Sequence, residues 1–311
     1  MKRRSLRLLS LAVVSMLVVG SFVGCTTKKE PAGGGEAKAS KKLGMVISTL
    51  NNPFFVSMKE GAEKKAKELG YTLVVLDSQN DSAKERSNVE DLMQQGVAAL
   101  IINPTDSDAV KNSIQVANDK KVPVITVDRQ ANGGDVVSHI ASDNARGGSL
   151  AADFILDQLK AKTTIKIVEL QGIPGASATR DRGAGFHKVV DGKTNVKVVA
   201  SQAADFDRQK GLTVTENIIQ ATPDFDAVFA HNDEMALGAV KALKAANKNI
   251  LIVGFDGTKD AADAVNSGDM AATIAQQPSL MGELAIENAV KVAKGEKVEK
   301  QIPVELKVVK K

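Results

Sequence analysis

Two rounds of alternating strand and helix patterns restrict the fold of this chain more than any other feature. Short apolar runs typical of buried strands recur between segments with helical spacing of apolar residues, over 43–127 and again over 165–253. Such alternation predicts βαβ units and parallel sheets. We therefore predict an α/β protein with two doubly wound, Rossmann-like lobes. The predicted strands are 43–47, 71–76, 98–103, 122–127, 165–170, 196–200, 227–230 and 250–253.

The chain does not end with the second round. A helix at 261–266, a strand at 270–275, a helix at 280–293 and an apolar strand at 302–309 follow it. A helix left over after a complete lobe predicts that the chain returns to the first lobe. With the segment 139–144 that joins the halves, this gives three connections, which permit hinge bending.

The N-terminus has the pattern of an export signal. Basic residues precede an apolar run at 8–23, and Gly24 stands before Cys25, which is the only cysteine. We predict a lipoprotein signal peptide over 1–24, with cleavage freeing Cys25 for a lipid. An uncleaved anchor helix and a buried thiol are the alternatives. Residues 25–41 are polar and glycine-containing, which predicts a flexible tether.

Charge and motif content exclude several functions. Four of the 41 basic side chains lie in the predicted signal, so 37 basic side chains face 37 acidic ones in the remainder. No basic excess is left to bind nucleic acid. The three histidines are dispersed without metal-ligand spacing, and no nucleophile or phosphate-loop motif is present, so we expect neither a metal nor a cofactor.

Polar and aromatic residues gather at predicted strand ends, where open α/β folds bind ligands. Carboxylates accept, guanidinium groups donate and amides do both, which matches the hydroxyls of a neutral polyol, while phenyl rings suit its C–H faces. Asn52 and Pro53 also fit the N-cap and first position of a helix. The candidate binding residues are Asn52, Phe54, Phe55, Asn103, Asp128, Arg129, Arg180, Phe206, Asn232, Phe255, Asp256 and Gln276.

Each candidate also has an ordinary structural explanation. Asp128 and Asp256 could end strands in turns, Arg180 and Arg182 could form a solvated helix face, and the phenylalanines could be core residues. Two acids and two arginines balance, which favours an uncharged ligand, although an amino acid could use the same groups. A glycosidase built on Asp128 and Asp256 is conceivable. We expect their neighbours to keep both ionised, which disfavours a general acid.

Longer motifs carry a family resemblance. They are 48–55 (STLNNPFF), 102–108 (INPTDSD), 126–130 (TVDRQ), 205–208 (DFDR), 232–238 (NDEMALG), 253–257 (VGFDG) and 272–276 (ATIAQ). Over about 42–309 the chain resembles the ribose-binding proteins of ABC-type sugar importers, in the periplasmic-binding-protein superfamily. His231 stands where that family more commonly has Gln.

The resemblance implies where the ligand and the hinges lie. A pentose would sit between Phe54, Phe55 and Phe206, with Phe255 adjoining, and the eight polar candidates would hydrogen-bond to it. Hinges are implied at Ser142–Asp143, Gln276–Gln277 and Glu305–Leu306. The lobes would then comprise 42–142 with 277–305, and 143–276 with 306–311.

The resemblance also implies a function without catalysis. The chain would be an extracytoplasmic lipoprotein, attached to the membrane by its N-terminal lipid, that closes on D-ribose and delivers it to a permease driven by a separate ATPase. A chemotaxis receptor is a further candidate partner. Alternatives are a receptor for another pentose, allose or a furanosyl signalling molecule, and a glycosidase. A repressor of the lac type shares the lobes but would carry a helix-turn-helix in place of the export signal.

Overall fold

The computed structural model describes residues 40–311. The predicted signal peptide, Cys25 and the predicted tether up to residue 39 lie outside the described residues. Within 40–311, none of the helices has both the length and the apolar character needed to cross a membrane. The described chain forms two α/β lobes, each built around a six-stranded sheet, as the alternating pattern predicts.

The elements of both lobes follow in chain order. The described strands are β1 Lys42–Ile47, β2 Thr72–Asp77, β3 Leu100–Ile102, β4 Val124–Val127, β5 Ser138–Ser142, β6 Ile165–Gln171, β7 Val196–Ala203, β8 Ala227–Ala230, β9 Leu251–Asp256, β10 Ala272–Ala275, β11 Gln301–Val304 and β12 Lys307–Lys310. The described helices are α1 Pro53–Glu68, α2 Ser82–Gln94, α3 Val110–Asp119, α4 Asn144–Gln158, α5 Ser177–Val190, α6 Arg208–Ala221, α7 Asp233–Ala245, α8 Lys259–Ser267 and α9 Pro278–Ala293.

The first sheet has the order β11-β5-β4-β3-β1-β2 and is parallel throughout. Alternate residues of β1 point to opposite faces, so Met45 packs with Met58 of α1 and Met281 of α9, while Val46 packs with Leu92 of α2. Helices therefore cover both faces. This arrangement leaves the carboxyl edge of the sheet free to carry a site.

The second sheet repeats the plan in the order β12-β10-β9-β8-β6-β7, with β12 antiparallel to β10. Ile155 of α4 and Phe186 of α5 pack on one face with Phe229, and Met235 of α7 packs on the other with Val228. The second sheet is thus also doubly wound.

The chain passes between the two sheets three times. The crossings are β5 to α4, β10 to α9 and β11 to β12, at the positions for which hinges are predicted. That these positions bend stays a prediction. The single strand predicted over 302–309 is wrong, because residues 301–304 pair with β5 and residues 307–310 pair with β10 in the other lobe.

Two local features, helix α4 and the N-terminal cap of α2, differ from what the sequence pattern predicts. The sequence pattern does not predict helix α4, because its adjacent glycines Gly147 and Gly148 interrupt the apolar spacing. Both permit close packing, as a Cβ at Gly147 would collide with the Phe255 ring and one at Gly148 with the Arg182 carbonyl. For α2, Ser82 followed three residues later by Glu85 is the pattern of a capping box, which predicts that Ser82 caps the helix.

The structure places the cap of α2 one residue earlier. The Asp81 carboxylate accepts from the N–H of Lys84 at 2.7 Å. Glu85, the expected partner of Ser82, is fully buried and accepts from the N–H of Thr105 at 2.7 Å. Its carboxylate therefore ties α2 to the loop after β3 and does not cap the helix.

Candidate functional site

A small hollow lies between the carboxyl edges of the two sheets. About 240 Å³ there, part of it open to the solvent, is free of protein atoms. Its walls are Asn52, Phe54, Phe55, Asp128 and Arg129 from the first lobe, and Ala178, Arg182, Phe206, Asn232 and Asp256 from the second. Eight of the twelve predicted binding residues line it. Asn103, Phe255 and Gln276 lie behind these walls, and Arg180 lies elsewhere.

Strand ends aim the two carboxylates into the hollow. Asp128 follows β4, and Asp256 is the last residue of β9. Both adopt positive φ, +64° and +122°. A non-glycine residue in this region costs on the order of 1–3 kcal/mol, and such strain clusters at functional sites. The backbone here is thus held in a costly conformation at the two positions where carboxylates face the hollow.

Helix caps position the two lining amides. Asn52 is the N-cap of α1, and its Oδ1 accepts from the N–H of Phe54 at 2.9 Å. Asn232 caps α7 in the same way, its Oδ1 accepting from the N–H of Met235 at 3.0 Å while its Nδ2 donates to the Phe206 carbonyl at 3.3 Å. Because capping uses the oxygens, each amide offers its NH₂ group to a ligand. The cap predicted at Asn52 is confirmed.

Asn103 supports Asp128 from behind. Its Oδ1 accepts from the N–H and Oγ of Ser48, at 3.2 and 2.6 Å. Its Nδ2 donates to the Val127 carbonyl and to Asp128 Oδ2, both at 3.1 Å. These four bonds use the full capacity of the amide. Asn103 therefore positions the carboxylate, where a direct bond to the ligand was expected.

Gln276 supports Asp256 in a comparable way. Its Nε2 donates to Asp256 Oδ1 at 2.9 Å. Its Oε1 is buried without a protein partner. An unpaired buried acceptor is unfavourable, so a ligand hydroxyl that reached it would be stabilised.

The arginine of the second lobe is Arg182, and the expectation for Arg180 is corrected. Arg180 is exposed and donates to the Gly175 carbonyl at 3.1 Å. Arg182 is 3 % exposed; its Nε donates to Asn144 Oδ1 at 2.8 Å and its Nη1 to the His231 carbonyl at 2.5 Å. Nη1 also lies 3.6 Å from Asp256 Oδ1.

A pattern within α5 could have identified Arg182. Ala178, Arg182, Phe186 and Val190 are spaced by four residues and form one buried stripe. Residues four apart share a helix face, whereas residues two apart do not. The apolar members of this stripe assign Arg182 to the inner face and Arg180 to solvent.

Burial governs the ionisation of the site. It raises the pKa of Asp128, against the opposing effect of Arg129 and Arg182. It raises the pKa of Asp256 well above its ordinary value, with Arg182 again acting in the opposite direction. Desolvation also lowers the pKa of both arginines. Burial thus outweighs the neighbouring groups that we expected to decide the ionisation of the two acids.

Aromatic rings and guanidinium groups complete the walls. The Arg129 guanidinium lies 5.2 Å from the centroid of Phe55 and 5.3 Å from that of Phe206, so one charge bridges rings of both lobes. The rings of Phe54 and Phe55 meet edge to face at 5.2 Å. The hollow thus combines apolar ring surface with balanced donors and acceptors, which suits a small uncharged molecule rich in hydroxyls.

The described residues show no arrangement suited to metal chemistry. Among 40–311, no group of three or more His, Cys, Asp or Glu side chains could hold an ion. The buried Glu169 is paired with His231 Nε2 at 2.9 Å, and Ser201 Oγ donates to it at 2.5 Å. This cluster lies beneath the second lobe's wall and is internally hydrogen-bonded.

The fold and the hollow together define a two-lobed protein whose candidate small-molecule site lies between the lobes. A family model described as the periplasmic binding protein domain matches residues 43–297, and the chain belongs to that family. Membership of this family makes it an extracytoplasmic solute-binding protein and not an enzyme.

Individual relatives are similar along most of their length. The ribose import binding protein RbsB of Haemophilus influenzae is 58 % identical over 88 % of this chain and 92 % of its own. RbsB of Bacillus subtilis is 54 % identical over 86 % of each. A Mycobacterium smegmatis ABC transporter solute-binding protein solved with bound glycerol superposes with a TM-score of 0.84 at 34 % identity, covering 87 % of this chain and 94 % of that one.

Proposed function

We propose that this chain binds D-ribose between its lobes, closes around it and delivers it to the permease of an ABC importer. The observation that carries the proposal is that hydrogen-bonding groups and phenyl rings from both lobes converge on one small hollow. A ligand seated there contacts both lobes at once. It therefore has greater affinity for the closed arrangement, which is the condition for a ligand to drive closure.

The choice of ribose is supported by the relatives. Two proteins named ribose import binding protein are 54–58 % identical to the chain over most of its length. Balanced charge in the hollow agrees with a neutral sugar. A receptor for another pentose, allose or a furanosyl signalling molecule is the second candidate, because the same groups could pair with other polyols, as the glycerol-bound neighbour illustrates.

Calorimetry and a thermal-shift panel test the sugar. The mature chain with Cys25→Ala is titrated with D-ribose, and the panel adds D-arabinose, D-allose and myo-inositol. We expect saturable one-to-one binding of D-ribose and the largest rise in melting temperature with that sugar. A larger rise with another sugar would replace ribose as the ligand, and no binding of any would refute the proposal.

We also propose that Cys25 carries a lipid and that residues 25–41 tether the lobes to the membrane. By random-coil scaling, 17 residues span roughly 20–25 Å. The full chain expressed in a bacterial host should partition into the detergent phase of Triton X-114, and Cys25→Ala should move it to the aqueous phase. Aqueous partition of both would refute lipidation.

We further propose that the lobes comprise 42–142 with 277–305 and 143–276 with 306–311, and that they hinge at Ser142–Asp143, Gln276–Gln277 and Glu305–Leu306. Small-angle scattering should show a smaller radius of gyration on adding ribose.

Delivery to the importer is tested separately. Ribose-loaded protein should stimulate ATP hydrolysis by the reconstituted importer. A chemotaxis receptor is a further candidate partner, testable by capillary assays in a strain lacking this protein.

A further inference from the structure

Two hydrogen bonds join the lobes at the rim of the cleft without touching the hollow. The N–H of Ser107, in the loop between β3 and α3, donates to the carbonyl of Gly175, in the loop between β6 and α5, at 3.0 Å. The N–H of Gln130, beyond β4, donates to Ser177 Oγ at 2.8 Å. We call Ser107, Gln130, Gly175 and Ser177 the rim contact. It exists only while the lobes are together.

Gly175 is required here by the facing lobe. A Cβ at this position would collide with Asp106 Oδ2. Asp106 is not free to turn away, since its Oδ1 accepts from the N–H groups of Asp108 and Ala109 at 2.9 and 2.8 Å. The φ angle of Gly175 is not positive. Its own backbone therefore tolerates a side chain, and the obstacle arises only when the first lobe approaches.

Arg180 strengthens the rim contact from the second lobe. Its Nη1 donates to the same Gly175 carbonyl at 3.1 Å. That oxygen thus accepts one bond from its own lobe and one from the other. The arginine expected in the ligand site instead helps to hold an acceptor towards the opposite lobe.

We propose that the rim contact sets the sugar affinity by stabilising the closed arrangement, with Gly175 as its main determinant. This inference rests on the proposed binding of a sugar by closure. When only part of the population is competent to bind, the apparent Kd rises in inverse proportion to that fraction. Residues that never touch the sugar would then control affinity through the open–closed equilibrium.

Gly175→Ala tests the energetic part. We expect the Kd for D-ribose to rise by about tenfold or more, as the added methyl group lowers the closed fraction. At saturating sugar, scattering should still give a larger radius of gyration than wild type. The melting temperature without sugar should stay unchanged, because the collision does not arise within either lobe.

Gly183→Ala is the matched control on α5. The nearest heavy atoms to a Cβ there are His231 Cε1 at 3.4 Å and Glu169 Oε1 at 3.6 Å, both within the same lobe. We expect wild-type affinity from this variant. Ser177→Ala, which removes the acceptor for Gln130, should weaken binding less than Gly175→Ala. Wild-type affinity and compaction in Gly175→Ala would overturn the proposal.

A disulfide tests the geometry independently of the sugar. A Cβ at Gly175 would lie 3.4 Å from Asp106 Cβ, close to the separation of about 3.5–4.5 Å in disulfides. Asp106→Cys with Gly175→Cys, in a Cys25→Ala background, should form an internal crosslink on mild oxidation, faster with sugar, while the single-cysteine variants should not.

The outcomes separate the two proposals. If the double-cysteine variant forms the crosslink but the protein binds no ribose, the proposed sugar is refuted and the rim contact is retained. The effect of Gly175→Ala on affinity is then measured with the sugar of the panel that binds best. Failure to crosslink with and without a bound sugar would overturn the rim contact even if ribose binds normally.

Discussion

The guanidinium carbon of Arg182 lies 3.7 Å from the centroid of the Phe255 ring. Phe255 is fully buried, so the charged plane rests on an aromatic face at the back of the hollow. Bonds to Asn144 and to the His231 carbonyl fix its orientation. A planar donor held in this way is already arranged for a ligand, which lowers the entropic cost of binding.

Arg182→Ala should abolish measurable sugar binding or weaken it by about 2–5 kcal/mol. Truncating one partner of a buried ion pair leaves the other unpaired, and here Asp256, whose Oδ1 lies 3.6 Å from Arg182 Nη1, would lose its guanidinium neighbour. Calorimetry with D-ribose measures the effect.

Arg180→Ala, on the same helix, is the comparison. Its side chain is exposed, so we expect a loss below about 1 kcal/mol through its bond to the Gly175 carbonyl. An equal loss for both arginines would contradict the assignment of Arg182 to the hollow.

Asn103→Ala should lower the free energy of unfolding even without sugar, by on the order of 3 kcal/mol. The substitution removes four hydrogen bonds and leaves buried donors and acceptors without partners. Urea denaturation of the sugar-free protein is the measurement. Asn112→Ala, at an exposed position of α3, should stay within about 0.5 kcal/mol of wild type. Wild-type stability of Asn103→Ala would show that Asn103 does not support Asp128 structurally.

His139 should make stability fall in mild acid. It is 6 % exposed, and burial lowers its pKa to about 4. A base whose folded pKa lies below its unfolded value of 6.5 contributes full stability above pH 6.5. That contribution is lost as the pH falls towards 4, because protons bind the unfolded state preferentially.

The size of this effect follows from the shift. At about 1.4 kcal/mol per pH unit, the loss for His139 reaches on the order of 3 kcal/mol. Denaturation between pH 7 and 4 should show a shallower decline for His139→Gln than for wild type. Parallel curves for the two proteins would show that His139 is not the source of the loss of stability in acid.

Asp81→Ala should destabilise α2 by about 1 kcal/mol, because it removes the acceptor for the N–H of Lys84. Ser82→Ala should change the unfolding free energy by a few tenths of a kcal/mol at most, since Ser82 is the first helical residue and not the cap. Thermal or urea unfolding of both variants distinguishes the two positions. A larger loss of unfolding free energy for Ser82→Ala than for Asp81→Ala would show that Ser82 is the cap of α2.

The alternation of patterns and the residues at strand ends could be predicted because both depend on local order. A strand that ends in Val127 and leads to Asp128 places that side chain at the carboxyl edge whatever surrounds it. Asn52 likewise caps its helix through a bond to a residue two positions away. Eight of the candidates reached the hollow for this reason.

Local sequence patterns did not predict contacts between distant segments of the chain. Asn103 was expected to contact the ligand, but its four hydrogen bonds go to Ser48, Val127 and Asp128, which lie 24 to 55 residues away and leave no periodic signal. The division of the apolar run 302–309 after Val304 was also not predicted. Residues up to Val304 pair with β5 of the first sheet and residues from Lys307 pair with β10 of the second, and only the assembled sheets show this.

The sequence by itself determined the two-lobed α/β architecture and eight of the ten residues that line the hollow, since these follow from periodicity and from neighbours along the chain. The tertiary structure decided that Arg182 enters the hollow while Arg180 reaches the rim. Two positions on a helix differ by about 200° in direction. The apolar stripe of α5 indicates which of them points inward, but only the approach of the two lobes brings Arg182 to the hollow and Arg180 to the rim contact.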